Sequence, residues 1–555
     1  MKRLPIGISD FKELIENNYY FVDTTQLIGD IYRESAKIAL ITRPRRFGKT
    51  LNMSMLRYFY DNTLNTLDLF KGLTISEDEE VMQQLNAYPT IFITFKDIKD
   101  LHWETAEMKI KNLLSSLFDD FADVIVPVLK SDVEKRVYQN IINRDATIAD
   151  YQEALKNLTE YLYRVYNKPV LILIDEYDVP IQSGWSNDYY DKIIDFMRGF
   201  LSGALKDNSY LFKGILTGIY RVAKESIFSG LNNLIVYTIF KRKYAEYFGF
   251  TEEETEKLCQ SVCEQQDESL KENLKSWYNG YRFSGLTIYN PWSVINYLYE
   301  KELKPYWINT SSNDLIIQLI EENIRIDETF RQNIETLIAG KSVQQTIDDS
   351  SALRDLQTRP DSVWTLFLFS GYIKAQTQEL KKGKYNCELK IPNEEVLIFF
   401  QDTVFYWIEK AGRRILTSIG DPLLKGDGET FCEKLKSYVS NTLSYFDIKG
   451  EPENTYHMIL LGMFAHLTED YWIKSNRESG LGRYDLLLKA KDKKNYSAVI
   501  EIKSNPDEIQ EAMNQINDKE YIQELKSEGY TKIMKVALGV DGKRIEAMVQ
   551  MDENR

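Results

Sequence analysis

Apolar and polar residues change their period several times along the chain, and each change marks an element. "KIALITR", residues 37–43, condenses into a short β-branched apolar run and predicts a strand, whereas "LNMSMLRYFYDN", residues 51–62, repeats its apolar residues at helical spacing. "TIFITFK" (90–96) predicts another strand, the stretches around 104–122 and 147–166 predict helices, and "KPVLILIDEYDVPI" (168–181) holds five consecutive apolar residues, the pattern of a strand buried on both faces. A further strand ends at Thr217 in "YLFKGILTGIYRVAKES". Past residue 250, "TEEETEKLCQSV" and "LKENLKSWYNGYRF" predict helices bounded by caps and glycine. "SVWTLFLFSGYIKAQTQELKKGKYNCELKIPNEEV" then predicts helix, strand, basic turn, strand, helix, the order of a winged-helix-like element. Near the end, two apolar strands flank the turn "KDKKN", between a preceding helix "EPENTYHMILLGMFAHL" and a following one, "IQEAMNQINDKEY".

The loop between the first strand and helix carries chemistry. Arg43, Pro44, Arg45, Arg46, Phe47, Gly48, Lys49 and Thr50 follow GxxxxGK[ST] except at the first position, where arginine replaces glycine. A helix N-terminus offers unpaired N–H groups to phosphate, Gly48 permits close backbone approach, Lys49 reaches the β- and γ-phosphates, and the Thr50 hydroxyl ligates Mg²⁺. Pro44 helps to set the turn that the missing glycine would make, and Arg43, Arg45 and Arg46 add positive charge near the anion, so Arg43→Gly is expected to leave binding intact. The strand at 170–174 ends in Asp175, Glu176 and Asp178, where ligands bind in open α/β sheets. Asp175 is expected to support the metal and Glu176 to polarise the attacking water. Thr217 is placed to sense the γ-phosphate, with Arg221 and Lys224 to stabilise transition-state charge; a strand cap followed by solvated basic residues explains the same pattern equally well.

Together, "LPIGISDFKELIENNYYFVDTT", "RPRRFGKT", "ILIDEYDVPI", "TGIYRVAKESIFSGLNN", "WYNGYRF", "YNPWSV" and "YWINTSSND" resemble the predicted AAA-ATPase-like family of bacterial proteins that carry a C-terminal PD-(D/E)xK nuclease domain. The resemblance covers nearly the whole chain. It implies an ATP-binding core in which arginine at the first loop position is usual, followed by a helical lid. Thr24 departs from the lysine often found there.

The C-terminal strands hold a second constellation. Asp485 stands eight residues before Lys493, the centre of the turn, and Glu501 eight after it, so an antiparallel hairpin brings them together. Glu501 and Lys503 share a face while Ile500 and Ile502 point to the core. Such carboxylates are costly without a counter-ion, and a divalent cation held by Asp485, Glu501 and the Ile502 carbonyl resolves the cost. Lys503 would orient water or stabilise the pentavalent phosphate. The D-x15-E-x-K spacing matches the PD-(D/E)xK core, with Tyr484 in place of proline. In the resembling domains Glu453 matches an additional metal ligand and Gln515 a helical glutamine that positions phosphate; His457, one turn after Glu453, is assigned to packing or positioning rather than ligation. Four lysines between Lys489 and Lys494 are expected to make a positive edge beside this site.

Composition narrows the function. In 555 residues, 69 basic against 84 acidic side chains give −15, which argues against a general polyanion binder and leaves a local basic site. Four cysteines and three histidines, without CxxC or clusters, disfavour zinc and disulfides. No run approaches the roughly 20 apolar residues that span a bilayer, and the start lacks the apolar region of a signal peptide, so no membrane and a cytoplasmic protein are expected. The expected fold is α/β. Residues 1–250 form a P-loop AAA-like core with a parallel sheet, 251–425 a helical lid and winged-helix-like region, and 426–555 a restriction-endonuclease-like domain. The expected cofactors are ATP and Mg²⁺, with Mn²⁺ an alternative at the nuclease site; the expected partner is nucleic acid, DNA ahead of RNA, and a homo-oligomer is compatible with all of this. An ATP-regulated nuclease, with a role in defence or mobile-element biology, is the first functional expectation. The alternative is an NTP-dependent switch or scaffold that binds nucleic acid through a non-cleaving nuclease fold.

Overall fold

In the computed structural model the N-terminal apolar runs form strands β1 (Ile38–Thr42), β2 (Thr90–Thr94), β3 (Val170–Asp175) and β4 (Leu211–Gly218), joined by β5 (Leu234–Tyr237). All pairs are parallel and the order is β2-β3-β4-β1-β5. Every residue of β1 and β3 is buried; because successive side chains point to opposite faces, both faces of these strands are covered. Helices α1 (Lys49–Tyr60), α2 (Trp103–Asp120), α3 (Ile148–Tyr166), α4 (Val179–Ser186) and α5 (Tyr190–Leu205) come from the connecting segments. A reciprocal Thr147–Asp150 capping box starts α3, and Pro180 occupies the first turn of α4, where its missing N–H costs nothing. The strand order decides the site: β4 lies between β1 and β3, so the ends of all three meet at one edge of the sheet.

The structure describes residues 2–219, 227, 233–262, 268–310, 313–350, 353–359, 361–410, 413–442, 452–464, 467, 470–475, 478–479, 482–483, 485–518, 521–541 and 544–553. The chain divides into two compact units, Met1–Ser311 with Gln344–Glu395, and Ser312–Val343 with Val396–Arg555.

Within the first unit, "YRF" opens the hairpin β6 (Tyr281–Phe283) and β7 (Leu286–Ile288). The glycine before it has no substitute: Gly280 sits at φ +96°, and a Cβ would stand 2.2 Å from the Pro392 carbonyl oxygen. The "PWS" and "YWIN" stretches meet at one buried carboxyl, Glu395, which accepts from Ser293 Oγ at 2.9 Å and from the Trp307 N–H at 2.6 Å. Burial pushes the Glu395 carboxyl up to about 7. Strand β8 (Val343–Ile347), helix α6 (Ser362–Ser370) and strands β9 (Lys374–Lys381) and β10 (Lys384–Lys390) follow, and helix α7 (Glu394–Lys410) starts at the end of this unit and continues into the second. The β9–β10 turn, Lys382–Gly383, has both residues at positive φ, the two-residue turn that matches strand twist.

In the second unit, helix α8 (Pro452–Phe464) precedes β11 (Tyr471–Ser475), the short pair β12 (Glu478–Ser479) and β13 (Gly482–Arg483), β14 (Leu486–Ala490) and β15 (Ser497–Lys503). Helix α9 (Ile509–Asp518), β16 (Lys532–Asp541) and β17 (Arg544–Glu553) complete a mixed sheet in the order β11-β14-β15-β16-β17. Among the described residues no helix is long and apolar enough to cross a membrane.

Candidate functional sites

At the sheet edge, α1 is capped by Gly48, whose φ of +81° is left-handed and whose Cβ position is open space, so conformation rather than crowding requires glycine. Lys49 is 5% exposed and donates to the Arg43 and Pro44 carbonyls at 3.2 and 2.9 Å. Burial lowers its pKa, opposed by the charges of Glu176, Asp175 and Asp178. The Thr50 hydroxyl donates to Asp175 Oδ2 at 2.7 Å, and the Thr217 hydroxyl, arriving on the intervening strand β4, donates to Oδ1 at 2.6 Å. Burial raises the Asp175 pKa against these two bonds. Glu176 follows at φ +53°, a conformation that non-glycine residues rarely adopt and that clusters at functional sites. Lys49, Thr50, Asp175, Glu176 and Thr217 therefore converge. A buried ammonium resting on loop carbonyls, beside a hydroxyl and a carboxylate, has the donor chemistry for phosphate and a hard cation.

The arginines divide. Arg43 does not join the anion face: its guanidinium is fully buried, donates to the Thr42 and Tyr237 carbonyls at 2.7 and 2.9 Å, and lies 5.4 and 5.3 Å from the centres of the Phe248 and Phe283 rings. With glycine absent, the loop points the side chain at that position inward, into the seam between β5 and the β6–β7 hairpin. Phe47 is buried against Tyr281 and Phe283, and Pro44 is buried too. Arg46 is exposed, at φ +68°, with its guanidinium 4.3 Å from the centre of the Trp292 ring. Arg45 donates to Gln182 Oε1 at 3.2 Å; Gln182 donates to Asp178 Oδ2 at 2.9 Å, and that oxygen accepts the Ile219 N–H at 2.9 Å. This chain from loop to β4 is a part of the site that sequence patterns missed. Its one signal is that Gln182 stands one helical turn after Asp178. Gly218 leaves it room, since a Cβ there would stand 2.7 Å from Asp178 Oδ1. Thr24 donates to Asn52 Oδ1 on α1 at 2.9 Å. Arg221 and Lys224 lie outside the described residues.

In the C-terminal sheet, Leu486 pairs with Ile500, Leu487 with Val499 and Leu488 with Ala498, so one further step sets Asp485 opposite Glu501. Asp485 Oδ2 accepts the Ile502 N–H at 2.6 Å. Glu501 is 4% exposed, and Lys503 Nζ stands 3.6 Å from its Oε1 while donating to Gln515 Oε1 on α9 at 2.7 Å. Asp485, Glu501, Lys503 and Gln515 thus gather at one end of the hairpin. Two carboxylates with a backbone carbonyl between them suit Mg²⁺ or Mn²⁺, although among the described residues no three His, Cys, Asp or Glu side chains converge as a metal cluster. Glu453 lies in the first turn of α8, but its side chain lies outside those described, as does Tyr484. The lysine-rich turn is not beside the carboxylates: the register sends it to the other end of the hairpin.

His457 on α8 is buried and its Nε2 lies 3.0 Å from the Asp485 carbonyl oxygen, which can only accept, so Nε2 carries the proton and donates. The ring holds the backbone of Asp485. Burial pulls its pKa down to about 4. The unfolded chain protonates near 6.5, so the stability contributed by neutral His457 is complete above that pH and is lost as pH falls toward 4. Urea unfolding at pH 7 and pH 5 should show a smaller loss on acidification in His457→Gln than in the unaltered chain.

The profile described as a predicted AAA-ATPase matches residues 5–228, and that of the PD-(D/E)XK nuclease superfamily matches residues 451–549. The chain carries an AAA-ATPase-like domain and a PD-(D/E)XK nuclease superfamily domain. A protein of Azotobacter chroococcum mcd 1, described as an uncharacterized protein in the vnfD 5′ region, is 24% identical over 402 residues, which is 71% of this chain and 68% of that one. The AAA-ATPase-like domain contains the whole Lys49–Thr217 constellation, and the nuclease domain contains Asp485, Glu501, Lys503 and Gln515. These two domains support a nucleotide-linked nuclease in general terms, and the second suggests nucleic acid binding.

Proposed function

We propose that the chain binds and hydrolyses ATP at the β1–α1 loop and cleaves nucleic acid phosphodiesters, DNA ahead of RNA, at the Asp485–Glu501 site, with nucleotide state regulating cleavage. The observation that carries the nuclease reading is the β14–β15 register, which one step beyond Leu486–Ile500 sets Asp485 opposite Glu501, with Lys503 beside them on Gln515. Asp485, Glu501 and the Ile502 carbonyl would hold Mg²⁺ or Mn²⁺, which when bound polarises the phosphoryl oxygen and makes water a better nucleophile. Lys503 is an ammonium beside the reacting phosphate, held by Gln515 so that its charge is in place before negative charge builds. In the ATPase-like domain, Lys49 would bind the phosphates, Thr50 and Asp175 would hold Mg²⁺, and Glu176 would accept a proton from the attacking water.

Lys49→Ala is expected to weaken ATP binding at least tenfold because a charge-assisted contact is lost. Glu176→Gln should keep binding and slow hydrolysis about 10²-fold. Nucleotide affinity by calorimetry and phosphate release under saturating ATP separate the two; turnover unchanged in both variants would remove the ATPase assignment. Cleavage of linear, circular and single-stranded DNA and of RNA, with and without ATP, tests the regulation. Equal cleavage rates in the unaltered chain and Lys49→Ala would leave two independent activities.

A further inference from the structure

The lysine-rich turn sits at the far end of the hairpin from the carboxylates, and it is interleaved with aromatic rings. Trp472 on the edge strand β11 pairs directly with Lys489 on β14 and is 48% exposed, a large apolar surface to leave in water. The ammonium groups of Lys489 and Lys491 each lie 6.0 Å from the centre of the Trp472 ring, and those of Lys489 and Lys493 lie 5.6 Å from the Tyr530 ring. Tyr530 is fixed in turn, its hydroxyl donating to the Ala490 carbonyl at 2.8 Å. Lys489 is tied to Glu528. Cations that usually move freely are here ordered around two rings, in a chain whose net charge is −15.

Side-chain alternation relates this cluster to the carboxylates. Lys489, Leu487 and Asp485 share one face of β14, and direct pairing puts Trp472 on the same face. Four residues separate Lys489 from Asp485, roughly 13 Å along a strand. The cluster therefore lies within a few nucleotides' length of the carboxylates, separated from them on that face by the buried Leu487–Val499 pair. An exposed indole flanked by ammonium groups suits a single strand better than a duplex, because only unstacked bases present a face to it.

We propose that Trp472, Lys491 and Lys493 form a docking surface for single-stranded nucleic acid, in which a base stacks on the indole and the lysines take the flanking phosphates. The proposal rests on the nuclease reading for its geometry but not for its test. Full-length protein is titrated with a fluorescein-labelled 20-nucleotide DNA strand of mixed sequence in EDTA, where metal-dependent cleavage is off, across a series of salt concentrations. Lys491→Glu/Lys493→Glu should raise Kd at least fivefold and flatten the dependence of log K on log salt by about 1.4, the share of two phosphate contacts on a single strand. Trp472→Ala should raise Kd at least fivefold with its salt slope unchanged, and Trp472→Phe should recover most of that loss. Unchanged Kd and slope in these variants would overturn the surface, as would a loss seen only with duplex. If binding depends on the surface but no substrate is ever cut, the surface stands and the nuclease reading falls; if cutting depends on Asp485 while these variants bind normally, the reverse holds.

Discussion

Asp485→Asn and Glu501→Gln should each lower metal-dependent cleavage by about 10³-fold while leaving the fold intact. Both substitutions keep shape and an acceptor oxygen. The Ile502 N–H that now meets Asp485 Oδ2 at 2.6 Å still finds a partner in the asparagine amide, so the hairpin register has no reason to slip. What is lost is the negative charge that holds a divalent cation. Mg²⁺ and Mn²⁺ binding, followed by calorimetry, should weaken with activity in both variants. Lys503→Ala should behave differently: it removes no metal ligand, so the cation stays bound while the rate falls. The ammonium now donates to Gln515 at 2.7 Å, and Gln515→Leu should therefore show a smaller loss of rate, through misplacement of Lys503. Cleavage that survives Asp485→Asn would locate the activity elsewhere. Metal binding that is normal at Asp485 and Glu501 without cleavage of any substrate would favour a nuclease fold used for binding alone.

The nuclease hairpin was legible because antiparallel pairing is a counting problem: eight residues either side of Lys493 fix which residues face each other, and the observed register follows that count. The P-loop strand, its helix and the acidic strand end were legible for a similar reason, since burial on both faces leaves long apolar runs with abrupt polar ends. Side-chain direction was not. Whether an arginine in a loop faces the ligand or the interior depends on elements distant in sequence, here Tyr237, Phe248 and Phe283, and periodicity carries no information about those meetings. The lysine turn was misplaced for the opposite reason: its distance from Asp485 is short in sequence, but strand geometry converts that separation into opposite ends of a hairpin. Glu395, which joins Ser293 and Trp307, looks in sequence like an ordinary acidic residue at a helix start.

Arg43→Gly, which would restore the usual loop sequence, is now expected to destabilise the ATPase-like domain by about 3–5 kcal/mol, the scale of deleting a large buried side chain. The guanidinium is fully buried, burial pulls its pKa down to about 9, and it is therefore still a cation at neutral pH. Burying a charge without a carboxylate costs several kcal/mol. Two carbonyl acceptors and two aromatic faces offset that cost, while Nε and Nη2 find no hydrogen-bond partner among the described residues. Glycine would empty the space between Phe248 and Phe283, release the Tyr237 carbonyl, and free the backbone at the residue whose own carbonyl holds Lys49. Arg43→Met separates packing from hydrogen bonding: it refills the space without the charge, so its loss should be only about 1–3 kcal/mol, that of the unpaired carbonyls. Thermal unfolding with and without ATP reads both. If Arg43 anchors the loop, ATP affinity should fall in the order Arg43→Met, then Arg43→Gly, in step with stability. A glycine variant that melts and binds ATP like the unaltered chain would show instead that the loop holds its shape without the buried arginine.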